Sequence, residues 1–137
     1  MDNDRVKHSI SVARQMMEIG KSYDLSDEEL EELFVLGLNH DIGYEFCDGK
    51  SHNVVGGNIL KRSNYKYWKE VYYHGVVQEE YSSLYLKILN TADMQVDKYG
   101  NVVGFEERLK DIRNRYGEDS VVYKRCVLLI EFIKSEV

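Results

Sequence analysis

The chain has no proline, one tryptophan and only two cysteines among its 137 residues. Without proline, helices can run unbroken, because proline removes a backbone donor and clashes with the preceding turn. The two cysteines, Cys47 and Cys126, are too few and too far apart for a zinc knuckle or a disulfide framework. Both are expected as reduced thiols, Cys126 in the core. No window holds the run of about 18 apolar residues that crosses a bilayer. The polar start Met1-Asp2-Asn3-Asp4-Arg5 has no apolar signal core. No membrane partner is therefore expected, and a cytoplasmic location is. Positive charge is also short: 18 Lys and Arg face 24 Asp and Glu, for a net charge of −6. That excludes the basic stripe needed to follow a nucleic-acid polymer. It does not exclude a phosphorylated small molecule, since one bound divalent cation outweighs distant surface carboxylates locally.

What is present is helical periodicity. The length suits one domain, residues 1–137, with no repeat or linker. In Leu25-Ser26-Asp27-Glu28-Glu29-Leu30, Ser26 and Glu29 have capping-box spacing, and Leu25 and Leu30 have that of a hydrophobic staple. This helix should bury Leu30, Leu33, Phe34 and Leu38 and run to about Asp41, with Gly43 as its stop. Before it, Val6, Ile10, Ala13 and Met17 predict the apolar face of a first helix closed by Gly20. After it, Val54, Val55, Ile59 and Leu60 predict a helix beyond His52. Tyr67, Val71 and His74 predict another, and Leu84, Ile88, Leu89 and Ala92 one more. Phe105, Leu109 and Ile112 mark a sixth, stopped by Gly117, and Val121, Leu128, Ile130 and Ile133 a last. Asp97 to Asn101 reads as a loop. No segment alternates as a strand would. The expected fold is all-α, a bundle of about six or seven helices.

Four histidines occur: His8, His40, His52 and His74. A lone histidine on a helix is more often a core or surface residue than a ligand. The settings here are unusual. His40 and Asp41 end the apolar run Leu36-Gly37-Leu38-Asn39, and Asp93 ends the run Leu86 to Ala92. A carboxylate there is costly unless a cation pairs with it. Imidazole nitrogen with carboxylate oxygen is a good donor set for iron, manganese or zinc. Asp41, beside His40 at a helix terminus, is suited to bridge two ions.

The order His8, then His40-Asp41, then Asp93 resembles the metal motif of the HD-domain phosphohydrolases. The surrounding text, Arg5-Val6-Lys7-His8-Ser9, Leu38-Asn39-His40-Asp41-Ile42-Gly43 and Ala92-Asp93, resembles it too, over about residues 5 to 96. The resemblance implies an all-helical HD domain and hydrolysis of a phosphate ester or anhydride. His52 and His74 fall between the HD pair and the last aspartate. That pattern looks like the branch with a dinuclear centre, which includes symmetrical dinucleoside tetraphosphatases and cyclic-dinucleotide phosphodiesterases. The glycine-tyrosine-proline signature of the latter is missing. The implied metal set is His8, His40, Asp41, His52, His74 and Asp93, with Asp41 also catalytic. Two divalent transition-metal ions are implied, iron or manganese first, with magnesium, nickel, cobalt and zinc compatible. The expected partner is a small phosphorylated substrate, a nucleotide or dinucleoside polyphosphate foremost. Lys50, Lys61, Arg62, Lys98 and Arg108 are candidates for its phosphates. The tyrosines around His74 could wall its base, though packing with a bonded hydroxyl suits most of them better. The competing reading is a non-catalytic sensor that binds metal and nucleotide on the same fold.

Overall fold

The computed structural model describes residues 2–47 and 51–135. Among these, seven α-helices and one 3-10 turn carry the chain: α1 (Asn3–Ser22), α2 (Asp27–Asn39), the turn Ile42–Glu45, α3 (His52–Arg62), α4 (Trp68–Tyr73), α5 (Leu84–Asp93), α6 (Phe105–Tyr116) and α7 (Val121–Ser135). The chain is all-α, as its periodicity implies. The one β feature among the described residues is an isolated bridge between Val96 and Val102, closing the loop after α5.

Helix α2 starts as its sequence dictates. The Ser26 hydroxyl accepts the Glu29 N–H, and Glu29 accepts the Ser26 N–H, both at 3.1 Å. Its buried residues are Leu30, Leu33, Leu36 and Gly37; Phe34 and Leu38 are only half-buried. Leu33 and Leu36 are fully buried, each stabilising the fold by about 2 kcal/mol. The helix stops at Asn39, two residues short of the expected end, which leaves His40 and Asp41 outside it.

Helix α1 buries a different face from the one expected. Val6 is exposed and Ile10 and Met17 are half-buried, while His8, Ser9, Val12, Ala13, Met16 and Gly20 are buried. Aliphatic spacing alone misplaces this stripe, because two of its members, His8 and Ser9, are polar. The helix also continues past Gly20 to Ser22. Helix α2 crosses α1 closely: a methyl group on Gly37 would stand 2.5 Å from the Ala13 Cα.

The main core joins Val12, Met16, Leu33, Leu36, Leu60, Val71, Ile88, Leu89 and Val96. A second cluster, Met94, Leu129, Ile130 and Ile133, seats α7, with Phe105, Leu109 and Cys126 against it. Cys126 is thus half-buried at the edge of a core, and burial pushes its thiol up to about 11. Val121 and Leu128, expected to face inward, are 68% and 58% exposed; α7 turns Leu129 in instead. A string of apolar residues on one helix leaves its buried edge ambiguous by one position. No helix among the described residues is long and apolar enough to cross a membrane.

Candidate metal centre

Five of the six residues in the implied metal set stand at helix ends. His40 caps the C-terminus of α2, and Asp41 leads into the 3-10 turn. His52 is the first residue of α3, His74 caps α4, and Asp93 is the last residue of α5. Only His8 projects from mid-helix. The last carbonyls of a helix have no partner within it, and here they are used. The His40 Nδ1–H donates to the Gly37 carbonyl at 2.6 Å, and the His74 Nδ1–H to the Val71 carbonyl at 2.6 Å. The His8 Nδ1–H donates to the Asp97 carbonyl at 2.9 Å. In His40 and His74, Nε2 is therefore the nitrogen left to accept, while the His8 Nε2 faces Asp93 Oδ1 at 2.9 Å. The C-termini of α2 and α5 also direct partial negative charge at the cluster.

The six side chains meet. Asp41 Oδ2 lies 3.3 Å from His40 Nε2 and 3.6 Å from His8 Nε2. Its other oxygen, Oδ1, lies 3.2 Å from His52 Nε2 and 3.5 Å from His74 Nε2. Asp93 Oδ1 lies 2.9 Å from His8 Nε2 and 3.5 Å from His40 Nε2. One carboxylate thus faces two different imidazole pairs with its two oxygens.

The residues present fit divalent cations. Nε2 of His40 and of His74 are buried without a hydrogen-bond partner, a costly state for a polar atom. Each points into the cluster. Two donors about 2.1 Å from one ion stand roughly 3.4 Å apart in tetrahedral geometry, which is the range of spacings seen. Three overlapping triads could hold an ion: His8 with His40 and Asp41, His40 with His74 and Asp93, and Asp41 with His52 and His74. The electrostatics of the bare cluster also ask for positive charge. Burial pushes the His40 pKa down, but the carboxylates of Asp41 and Asp93 outweigh it and hold it well above the usual imidazole range. Burial pushes Asp41 and Asp93 up, but the facing histidines, His40 foremost, hold both well below the usual carboxylate range.

Five of the six residues are buried; the His52 side chain is 23% exposed. Tyr44 stacks on His52, with ring centroids 4.2 Å apart and planes 17° from parallel. The Arg5 guanidinium lies 3.5 Å over the Tyr44 ring. Sequence reasoning missed Tyr44 and gave Arg5 no role. The available signal was position: Arg5 is one helical turn before His8, and Tyr44 is three residues after Asp41.

Of the basic candidates that the structure describes, Arg108 alone pairs with a member of the metal set. Lys50 lies outside the described residues. Lys61 lies over the Trp68 ring and Lys98 over the Tyr99 ring. Arg62 is exposed, and Arg108 is buried against Asp93. Several tyrosines are held by carboxylates away from the cluster: Tyr67 and Tyr85 donate to Glu32, and Tyr81 donates to Glu70.

Fold and site together define a class, an all-α protein whose helix ends gather histidines and aspartates suited to divalent cations. The chain belongs to the HD domain family, whose model matches residues 5–127. HD domains are typically metal-dependent hydrolases. The match reaches past the motif-bearing stretch to include α6 and about half of α7. No curated protein and no solved structure matches the chain.

Proposed function

We propose that this chain hydrolyses a phosphate ester or anhydride in a small phosphorylated molecule, a nucleotide or dinucleoside polyphosphate, at a centre of two divalent transition-metal ions. The observation that carries this reading is the division of Asp41, one oxygen toward His8 and His40, the other toward His52 and His74. In this reading His8, His40, Asp41 and Asp93 hold one ion, and Asp41, His52 and His74 hold the second. Such ions supply Lewis acidity, which lowers the pKa of a water and neutralises charge on phosphoryl oxygens.

The chain's own residues do the positioning. Backbone carbonyls of Gly37, Val71 and Asp97 fix three imidazole tautomers, so little reorganisation is needed during reaction. Tyr44 braces His52, the most exposed of the six residues, and Arg5 places a cation over that brace. The net charge of −6 favours a short phosphate chain over a polymer. Dinucleoside tetraphosphate is the leading specific substrate, by analogy with the dinuclear HD branch.

The test joins metal analysis to turnover. Protein purified without a histidine tag should carry about two equivalents of iron or manganese after supplementation. It should release phosphate or nucleotide from mononucleotides or dinucleoside polyphosphates. Metal-loaded protein inert toward all of these, yet efficient on single-stranded RNA or DNA, overturns the substrate. Absence of any transition metal under every loading condition overturns the centre.

A further inference from the structure

Among the described residues, the proposed chemistry leaves two buried charges without a task, Glu70 and Arg108, and only Arg108 pairs with a member of the metal set. Arg108, on α6, is 8% exposed and lies outside every motif that pointed to the site. A guanidinium keeps its charge, and burying it costs several kcal/mol unless it is paired and hydrogen-bonded.

Its planar fork is divided between two partners. Nη1 donates to Asp111 Oδ2 at 3.0 Å, one helical turn further along α6. Nε donates to the backbone carbonyl of Asp93 at 3.2 Å, and Nη2 stands 3.9 Å from Asp93 Oδ1. That oxygen is the one facing Nε2 of His8 and His40. Arg108 therefore holds the Asp93 main chain by a hydrogen bond and places its charge within ion-pair distance of the carboxylate.

Asp111 leads to a second member of the centre. Its Oδ2 also accepts the backbone N–H of Lys98 at 3.4 Å. The neighbouring residue, Asp97, provides the carbonyl that receives the His8 Nδ1–H. The Asp97 carboxylate in turn accepts the N–H groups of Tyr99 and Asn101, so this carbonyl sits in a braced turn. Both lines from Arg108 and Asp111 end on His8 and Asp93. The hydrogen bonds and ion pairs of Arg108 reach neither His52 nor His74.

We infer that Arg108 and Asp111 are a positioning pair that sets the metal affinity of the His8–His40–Asp93 side of the centre and leaves the His52–His74 side alone. This rests on the two-ion reading above. The asymmetry separates positioning from a plain strut between α5 and α6: a strut would change stability and weaken both ion positions together. Removing a group that orients a metal ligand commonly lowers affinity about 10- to 100-fold.

The experiment uses the full chain stripped with chelator and titrated with Mn(II), with a competing chelator to resolve the two steps. Circular dichroism checks the fold. In Arg108→Gln, one step should weaken by about 10- to 100-fold while the other stays near wild type. Arg108→Lys should recover part of the loss, because an ammonium can reach one partner but cannot fork to both. Asp111→Asn should show a smaller loss on the same step. A folded Arg108→Gln with both steps at wild-type affinity overturns the inference, and so does equal weakening of both. If Arg108→Gln does not fold, Arg108→Lys and Asp111→Asn are read by the same criterion. Wild-type protein that binds no Mn(II) overturns the two-ion reading itself, an outcome distinct from the others.

Discussion

Asp41 is the residue on which most depends, because its two oxygens face separate histidine pairs. On the two-ion reading proposed above, Asp41→Ala should therefore lose both ions, where loss of a residue on one side should cost one. Turnover should fall by about a thousand-fold or more, the scale of several kcal/mol of Lewis-acid stabilisation. The protein should remain folded, if less stable, since neither apolar cluster includes Asp41. Wild-type metal content and turnover in Asp41→Ala would remove it from the centre. At this scale the sequence was informative about chemistry-bearing residues and poor at their supports. His8, His40, Asp41 and Asp93 carry a recognisable order. Tyr44 and Arg5 are an ordinary tyrosine and arginine until a stacking distance links them to His52.

The elements matter chiefly through their ends. Helix α2 stops at Asn39, and a 3-10 turn follows, so His40 and Asp41 need not obey the 100° spacing of a continuous helix. Gly43 is central to that turn. A methyl group there would stand 1.9 Å from the His52 carbonyl oxygen and 3.0 Å from the Gly56 nitrogen. Backbone atoms cannot rotate away, so Gly43→Ala should push the start of α3, with His52, off the cluster. The expected result is loss of about one of two metal equivalents together with reduced stability. Ser26→Ala, at the other end of α2, is the control. Loss of the capping box should cost about 1 kcal/mol and lower Tm by a few degrees, with metal content unchanged. Calorimetry with metal analysis on both variants checks the pair. If Gly43→Ala keeps full metal content, the turn does not position His52.

Across the whole molecule, five half-buried tyrosines, three of them bonded to carboxylates, give an alkaline signature. The chain has eleven tyrosines. Burial, followed by nearby carboxylates, raises Tyr44, Tyr65, Tyr67, Tyr81 and Tyr85, the last to about 12. The folded state thus favours their protonated forms. This contribution to stability is fully present below the unfolded value of about 10. It is lost as pH rises through the folded values. Absorbance at 295 nm should show these five tyrosines ionising late, together with unfolding. Ionisation of these five near the unperturbed value of about 10, with circular dichroism unchanged, would contradict this packing.

The helical class and the capping box at Ser26 were legible in the residues alone, as was the donor type of the candidate ligands. These are local properties: periodicity, cap chemistry and donor type act within a few residues. The sequence also ended α6 at Gly117, where the structure ends it. It misread the inward faces of α1 and α7, because a helix rich in apolar residues offers several faces and its neighbours choose among them. Packing between distant segments is what divides the Asp41 oxygens between two histidine pairs, sets the Asp97 carbonyl against the His8 Nδ1 and brings Arg108 to Asp93. Those facts depend on where the ends of α2, α3, α4 and α5 meet. That meeting is set by packing between segments up to 89 residues apart in sequence, and no local pattern encodes it.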